Sequence, residues 1–309
     1  MKKTSQTTAD IRRMVKKSKR WDLWFIMLGV FCMLICLIAL AALFLEMAVK
    51  GMGRVDGDFF MNFPSRRAGE AGILSAWVGS VLVMFVTAVA AIPLGIAAGI
   101  YLEEYSRKDW VADLIEINIT NLAGVPSIVY GLLALGLFVH QLGFGQSILS
   151  AGLTLALLIL PIVIVATRES IRAIPEMIRE GAYALGATKW QAVQHHIVPY
   201  SMPGILTGVI IGMARAIGET APIITIGALT FIAFLPPAPF TGTPPAGMFD
   251  WLSSPFTVMP IQMFNWTSRP EEAFQTNAAA AGFVLVLMTL AMNGLAIWLR
   301  YRWRKNINW

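Results

Sequence analysis

The chain has 309 residues, 57% of them hydrophobic and only 14% charged, whereas soluble domains carry about 25% charged residues. This excludes an ordinary soluble domain and points to an integral membrane protein. The net charge of +6 does not point to nucleic acid, because the positive residues flank apolar runs and no basic stretch interleaved with aromatics is present.

A bilayer crossing needs about 20 apolar residues, and six segments meet that length. The first, roughly 24–48, follows a basic tail over 1–22. It is too long for the apolar core of a cleavable signal and is expected to be retained. Cys32 and Cys36 lie inside it, one helix turn apart. They read as small hydrophobes, since no further ligands stand near them for a metal site. The remaining spans are expected at roughly 73–101, 115–139, 147–167, 203–235 and 277–299. The fifth is long enough to tilt or break. Domain organisation follows: a first span with its outer loop over 23–72, a core over 73–299, and a basic tail over 300–309.

With the N-terminus inside, 18 Lys and Arg residues fall on the inner side and five on the outer. That asymmetry sets the expected orientation, with both termini cytoplasmic. Small residues recur at helix spacing, Ala91, Gly95 and Gly99 in the second span and Gly204, Gly208, Gly212 and Ala216 in the fifth. Such stripes let helices pack closely in lipid. The outer connection 236–275 is too polar and too rich in proline to span.

The inner connection 168–202 is expected to hold two short helices. Pro175 suits a first helical position, and Glu176 meets the helix dipole favourably. Gly186 is placed to end the first helix in a left-handed conformation. Thr188 and Gln191 form a capping box for the second, which Pro199 is expected to stop. Gly181 and Ala182 are expected on an exposed face, where small side chains permit close approach. On these features alone, an ordinary amphipathic loop at the membrane surface remains an equal reading.

Glu180, Gly181, Ala182, Gly186 and Pro199 resemble the EAA loop of ABC-importer permeases, in which a glycine follows the Glu by six residues and a proline by nineteen. Gly181 replaces the usual first Ala, and His196 stands where Ile is usual. IPLGIAAGIYLEEYSRK, VPSIVYGLLALGLFV, EGAYALGATKW and MARAIGETAPI occur in that order, and together they are similar to PstA-type permeases of phosphate importers from about Asp22 onward. The partner permease type, PstC, carries a similar RAIGET run; the Ala-Pro after GET favours PstA. The resemblance implies an all-α polytopic membrane protein with six transmembrane helices and type I ABC importer (MetI-like) architecture. It implies that Glu180, Gly181, Ala182 and Gly186 couple to an ATPase. The implied partners are a PstC-like permease in a heterodimer, a PstB-like ATPase dimer, a PstS-like phosphate-binding protein and inorganic phosphate. No cofactor or metal is implied.

Arg215 and Glu219 in ARAIGETAP are neighbours on one helix face, and each costs about 2.5–3.5 kcal/mol at mid-membrane on insertion scales. They are read either as a structural ion pair or as the lining of a polar path. Their face borders the small-residue stripe and is expected to turn toward other helices. Pro222 offers no N–H to the carbonyl of Gly218, so the helix is expected to bend or break there. A guanidinium donates two hydrogen bonds to an oxyanion; Arg215 is therefore the candidate phosphate contact and Glu219 its positioner. Thr220 and Ser127 are weaker candidates, for which local capping or back-bonding is an alternative role.

The chain lacks the Lys of a phosphate-binding loop after Gly186 and lacks HExxH and GxSxG patterns. It is therefore expected to be no enzyme, with ATP hydrolysed by a partner. A permease for sulfate, molybdate or tungstate, or a secondary anion transporter with broken helices, remains an alternative.

Overall fold

A computed structural model describes residues 2–107, 109–238, 247 and 249–304. Residues 239–246, 248 and 305–309, parts of the expected outer loop and C-terminal tail, lie outside the described residues. The described chain is helical throughout, with no strands among these residues.

The expected basic tail and first span form one helix, α1, Lys2–Gly51. None of its most apolar window is buried within the chain. A short helix α2, Gly57–Met61, is capped by Asp56, whose side chain accepts from the Phe59 amide. Helix α3, Leu74–Ile100, is extended by a π-helical turn, Tyr101–Tyr105.

The third expected span departs most from the sequence reading. Residues 115–139 do not form one straight crossing. Helix α4, Trp110–Leu122, and helix α5, Ser127–Ala134, meet at an angle of 104°, and α5 continues as a π-helical segment to Gln141. Pro126 explains the bend. It offers no amide hydrogen, and its ring disfavours helical geometry at Val125. Among the described residues there are therefore five helices long and apolar enough to cross a membrane, or six counting this bent pair.

Helix α6, Ile148–Arg172, is capped by Ser147 and is the most buried of these helices, with two thirds of its central window inside the molecule. Helix α3 lies along one side of it. Gly95 faces Val163, and a Cβ on Gly99 would fall 2.6 Å from the Thr167 Cβ. Thr87 donates to Gly152 O at 3.1 Å, fixing the same pair of helices nearer the start of each.

In the inner connection, α7, Glu176–Ala184, precedes α8, Lys189–Ala192. Pro199 does not stop the second helix. The chain passes from α8 through a π-helical turn, Val193–Ile197, directly into α9, Val198–Gly218. Pro199 falls in the first turn of α9, and the π-turn accommodates its missing donor. The unstructured part of the inner connection is thus confined to the joints around α7. Helix α9 packs on α6 through its small-residue stripe: Gly204 faces Ser170, Gly208 faces Ala166, and a Cβ on Gly212 would lie 3.5 Å from Ile159 Cβ.

After Gly218 the chain leaves helical geometry at Glu219 (φ −75°, ψ 127°) and resumes as α10, Ala221–Ile226. Gly227, at φ +99°, ends it in the left-handed region, so 228–235 of the fifth expected span is not helical. The outer connection holds α11, Met259–Thr267, and α12 then runs from Glu272 to Arg304. The main core joins α3, α6, α9, α10 and the outer connection around Val83, Leu155, Ile159, Ile223 and Phe256. A second cluster around Phe59, Ile73, Trp266 and Phe274 joins α2 and the start of α3 to α11 and α12.

Candidate functional site

Two regions carry the sequence-derived candidates. The first is the break between α9 and α10. Arg215 Nε donates to Glu219 Oε1 at 3.2 Å. Beyond this single bond, no partner holds the guanidinium among the described residues, which leaves donors free. The face on which Arg215 stands is only partly covered by other helices of this chain: its side chain is 40% exposed, against 19% for Glu219. The physical reason is angular. The glycines of α9 occupy the contact with α6, and Arg215 sits beside that contact. Glu219 also lines a narrow crevice with Ser80, Met84, Leu155 and Val258.

Gly218 ends α9, and Pro222 stands in the first turn of α10. Proline is tolerated there because a first-turn amide has no helical acceptor. Thr220 is the residue before α10, yet its hydroxyl makes no capping bond. Helix α5 runs against α10: a Cβ on Gly131 would lie 2.7 Å from Pro222 Cα, and Ala134, Phe138 and Ile226 pack together further along. Ser127 is the first residue of α5. No hydrogen bond joins it to Arg215, Glu219 or Thr220 among the described residues. The structure therefore joins Arg215 to Glu219 directly and places Thr220 and Ser127 at the starts of two adjacent short helices. Helix starts carry partial positive charge. A partly free guanidinium and two helix starts favour an anion over a cation.

The second region is the loop of α7 and α8. Gly186 has φ +83°, and the capping box of Thr188 and Gln191 is formed, with both reciprocal bonds present. Glu180 and Gly181 are exposed. Ala182 is not: it is only 7% exposed, because α7 turns that side toward its own chain. The outward surface is instead built from large apolar side chains that sequence reasoning missed. Met177 is 78% exposed, Leu185 91% and Trp190 62%, with Tyr183 beside them. A set of exposed apolar side chains on an ordered helix pair is a feature of interaction surfaces. Its signal in the sequence is weak, since Met, Leu and Trp in an amphipathic segment equally suit a core.

Behind this loop lies a set of ion pairs that the sequence reading did not assemble. Arg179 of α7 reaches Glu104 with both Nε and Nη2, at 3.0 and 2.9 Å, and donates to the carbonyls of Ile171 and Ile174. Arg168 Nη2 donates to Glu116 of α4 at 2.7 Å, and Arg172 holds Glu103 with two bonds. These residues are 52 to 75 positions apart. The only available signal was the balance of Glu103 and Glu104 against three arginines at the ends of inner segments.

Residues 91–306 match the family described as binding-protein-dependent transport system inner membrane component. The chain is 32% identical over 273 residues to the phosphate transport system permease protein PstA of Yersinia pestis, covering 88% of this chain and 87% of that one. It is 30% identical over 278 residues to the probable ABC transporter permease protein YqgI of Bacillus subtilis, covering 88% and 92%. Among solved structures, a bacterial ABC transporter involved in import of the acidic polysaccharide alginate aligns with TM-score 0.60 at 13% identity, over 94% of this chain and 99% of that one. That likeness is one of fold, the fold of type I ABC importer permeases. The helical bundle, its apolar spans and the family match over two thirds of its length together show that this chain belongs to the binding-protein-dependent inner membrane permeases, as a multi-pass membrane subunit of the ABC transporter class.

Proposed function

We propose that the chain is a permease subunit of an ATP-driven importer of inorganic phosphate. It lines the translocation path together with a PstC-like permease, receives phosphate from a PstS-like binding protein, and is driven by a PstB-like ATPase dimer that hydrolyses the ATP. Both termini are cytoplasmic in this reading, which follows from the distribution of Lys and Arg. The observation that carries the proposal is the guanidinium of Arg215, held by a single bond to Glu219 at a break in a membrane helix. Broken membrane helices are tolerated inside protein or beside a watery cavity. The donors left free face out of this chain, where a second permease subunit closes the path. Glu219 orients the fork and offsets its charge when no anion is present. One arginine per subunit gives weak binding, which transit requires. Relatives named as phosphate permeases support phosphate over other oxyanions.

The loop of α7 and α8 is the docking element for the ATPase. Glu180 and Gly181 lie on its outer side, Gly186 forms its turn, and Ala182 seats α7 on the membrane domain. Met177, Leu185 and Trp190 supply the apolar contact.

The decisive experiment is reconstitution of the four-component complex in vesicles. Uptake of radiolabelled phosphate should require ATP and the binding protein, and ATP hydrolysis should rise when phosphate-loaded binding protein is added. Selective uptake of sulfate or molybdate would overturn the substrate assignment. Uptake by this chain alone, driven by an ion gradient, would overturn the ATP-driven assignment.

A further inference from the structure

Helix α4 is apolar yet has no buried residue. Trp110, Leu114, Ile115, Ile117 and Leu122 are all exposed, so it is not anchored to the chain by a packed face. Its closest polar tie is Glu116, which accepts from Arg168 Nη2 at 2.7 Å and lies 3.9 Å from Arg172. Arg168 itself is only 8% exposed, and its Nε has no hydrogen bond, standing 3.5 Å from Glu103. A buried guanidinium is costly unless its partners are in place. This one is held between Glu116 on α4 and Glu103 on the π-helical turn that ends α3. The next residue of that turn, Glu104, is 8% exposed and clasped by Arg179 of α7. Two sets of ion pairs are therefore joined through the backbone of the π-turn: Arg179 of α7 holds Glu104, and the adjacent Glu103 meets Arg168, which holds Glu116 of α4. Beyond α4 the bend at Pro126 leads to α5, which packs on α10 at Pro222.

We infer that Arg168 is a positioning residue that ties the bent α4–α5 segment to the docking loop, so that a shift of α7 is passed to the half-helices beside Arg215. The inference rests on the docking role proposed above for α7. The physical reason favours a latch over a static staple. An ion pair is directional and can be exchanged between neighbouring acceptors, and Arg168 and Arg172 share Glu103 and Glu116 between them. A π-helical turn at Glu103 and Glu104 adds a local irregularity of the kind found at functional sites. The cavity beside the pairs, about 210 Å³ and lined by Ser106, Arg107 and Asp113 among others, leaves room for the pairs to rearrange.

The test uses the assembled complex in vesicles and reads the number of phosphate ions imported per ATP hydrolysed. In the unaltered complex, phosphate-loaded binding protein must stimulate hydrolysis and uptake must occur; failure there overturns the docking and transport reading itself. Given that, Arg168→Gln and Glu116→Gln are expected to co-purify with the ATPase at normal yield and keep basal ATP hydrolysis. Both should lower the import-to-hydrolysis ratio by about tenfold or more. Arg168→Lys, which keeps the charge but loses the fork, should restore part of the ratio. Glu116 is 41% exposed, so its amide variant tests the inference even if burial makes the Arg168 variants unstable. An unchanged ratio in Glu116→Gln overturns the inference. So does a fall in uptake that merely follows a loss of assembled complex, because that is the behaviour of a structural pair.

Discussion

Replacing Gly99 with alanine probes how closely α3 is held to α6. The new Cβ would fall 2.6 Å from Thr167 Cβ, 2.7 Å from Thr167 Cγ2 and 3.1 Å from the Ile164 carbonyl. Two carbons rest at about 3.5–4.0 Å, so roughly 1 Å must be opened between the helices. Thr167 cannot turn its own Cβ away, since that atom is fixed to the α6 backbone. Overpacking of this kind costs about 1–3 kcal/mol. Alanine recovers about 0.5–1 kcal/mol of helix stability relative to glycine, leaving a net loss centred on about 1 kcal/mol and reaching at most about 2.5 kcal/mol. Gly212→Ala is the matched control, because its Cβ would meet Ile159 at 3.5 Å and Val163 at 3.6 Å, which is ordinary contact. Thermal unfolding of the detergent-solubilised protein should show a lowered midpoint for Gly99→Ala and an unchanged or raised midpoint for Gly212→Ala. Equal destabilisation by both, or by neither, would refute the claim that these helix contacts are set by glycine at particular positions rather than by the stripe as a whole.

Further outcomes concern the two functional regions. Gly186→Ala places a Cβ at φ +83°, which costs about 1–2 kcal/mol; it should lower co-purification of the ATPase while leaving the unfolding midpoint of the transmembrane bundle nearly unchanged. Leu185→Glu replaces the most exposed apolar side chain of the docking loop and should abolish ATPase co-purification without loss of membrane insertion, both measured on the same preparation. Arg215→Gln removes the free donors and should cut phosphate uptake at least tenfold with assembly intact; normal uptake would assign the pair a structural role. Glu219→Gln should retain assembly but alter the phosphate concentration for half-maximal uptake, as expected of a group that orients Arg215. Thr188→Ala removes a formed capping box and should cost about 1 kcal/mol, read as faster protease cleavage between α7 and α8.

The parts of the fold governed by local chemistry were legible in the sequence. The Gly186 turn and the Thr188–Gln191 box depend on residues within four positions of each other, and both are present. Proline was harder to weigh. At Pro126 the apolar run on both sides suggested continuity, yet the ring bends the chain by 104°. At Pro199 a stop was expected, yet a first-turn proline is compatible with the helix that follows. The burial of Ala182 and the exposure of Arg215 were not legible. Each depends on how a helix is rotated against a neighbour more than a turn away in sequence, and one-dimensional spacing does not fix that rotation. The ion pairs from Arg168 and Arg179 escaped for a related reason, since tertiary topology alone brings residues 52 and 75 positions apart together.

The joining of α8 to α9 has a mechanical consequence. Lys189 to Gly218 form a 30-residue helical run, about 45 Å long at 1.5 Å per residue. Its first turn carries the exposed Trp190, and its far end stops three residues beyond Arg215. A beam of that length is a displacement amplifier. Pivoted near its Lys189 end, a tilt of about 5° would sweep the far end sideways by about 4 Å, more than the roughly 3 Å reach of a hydrogen bond to a neighbouring element. Small angular changes at the Trp190 end are therefore large enough to make or break a contact between the far end of the run and a neighbouring element.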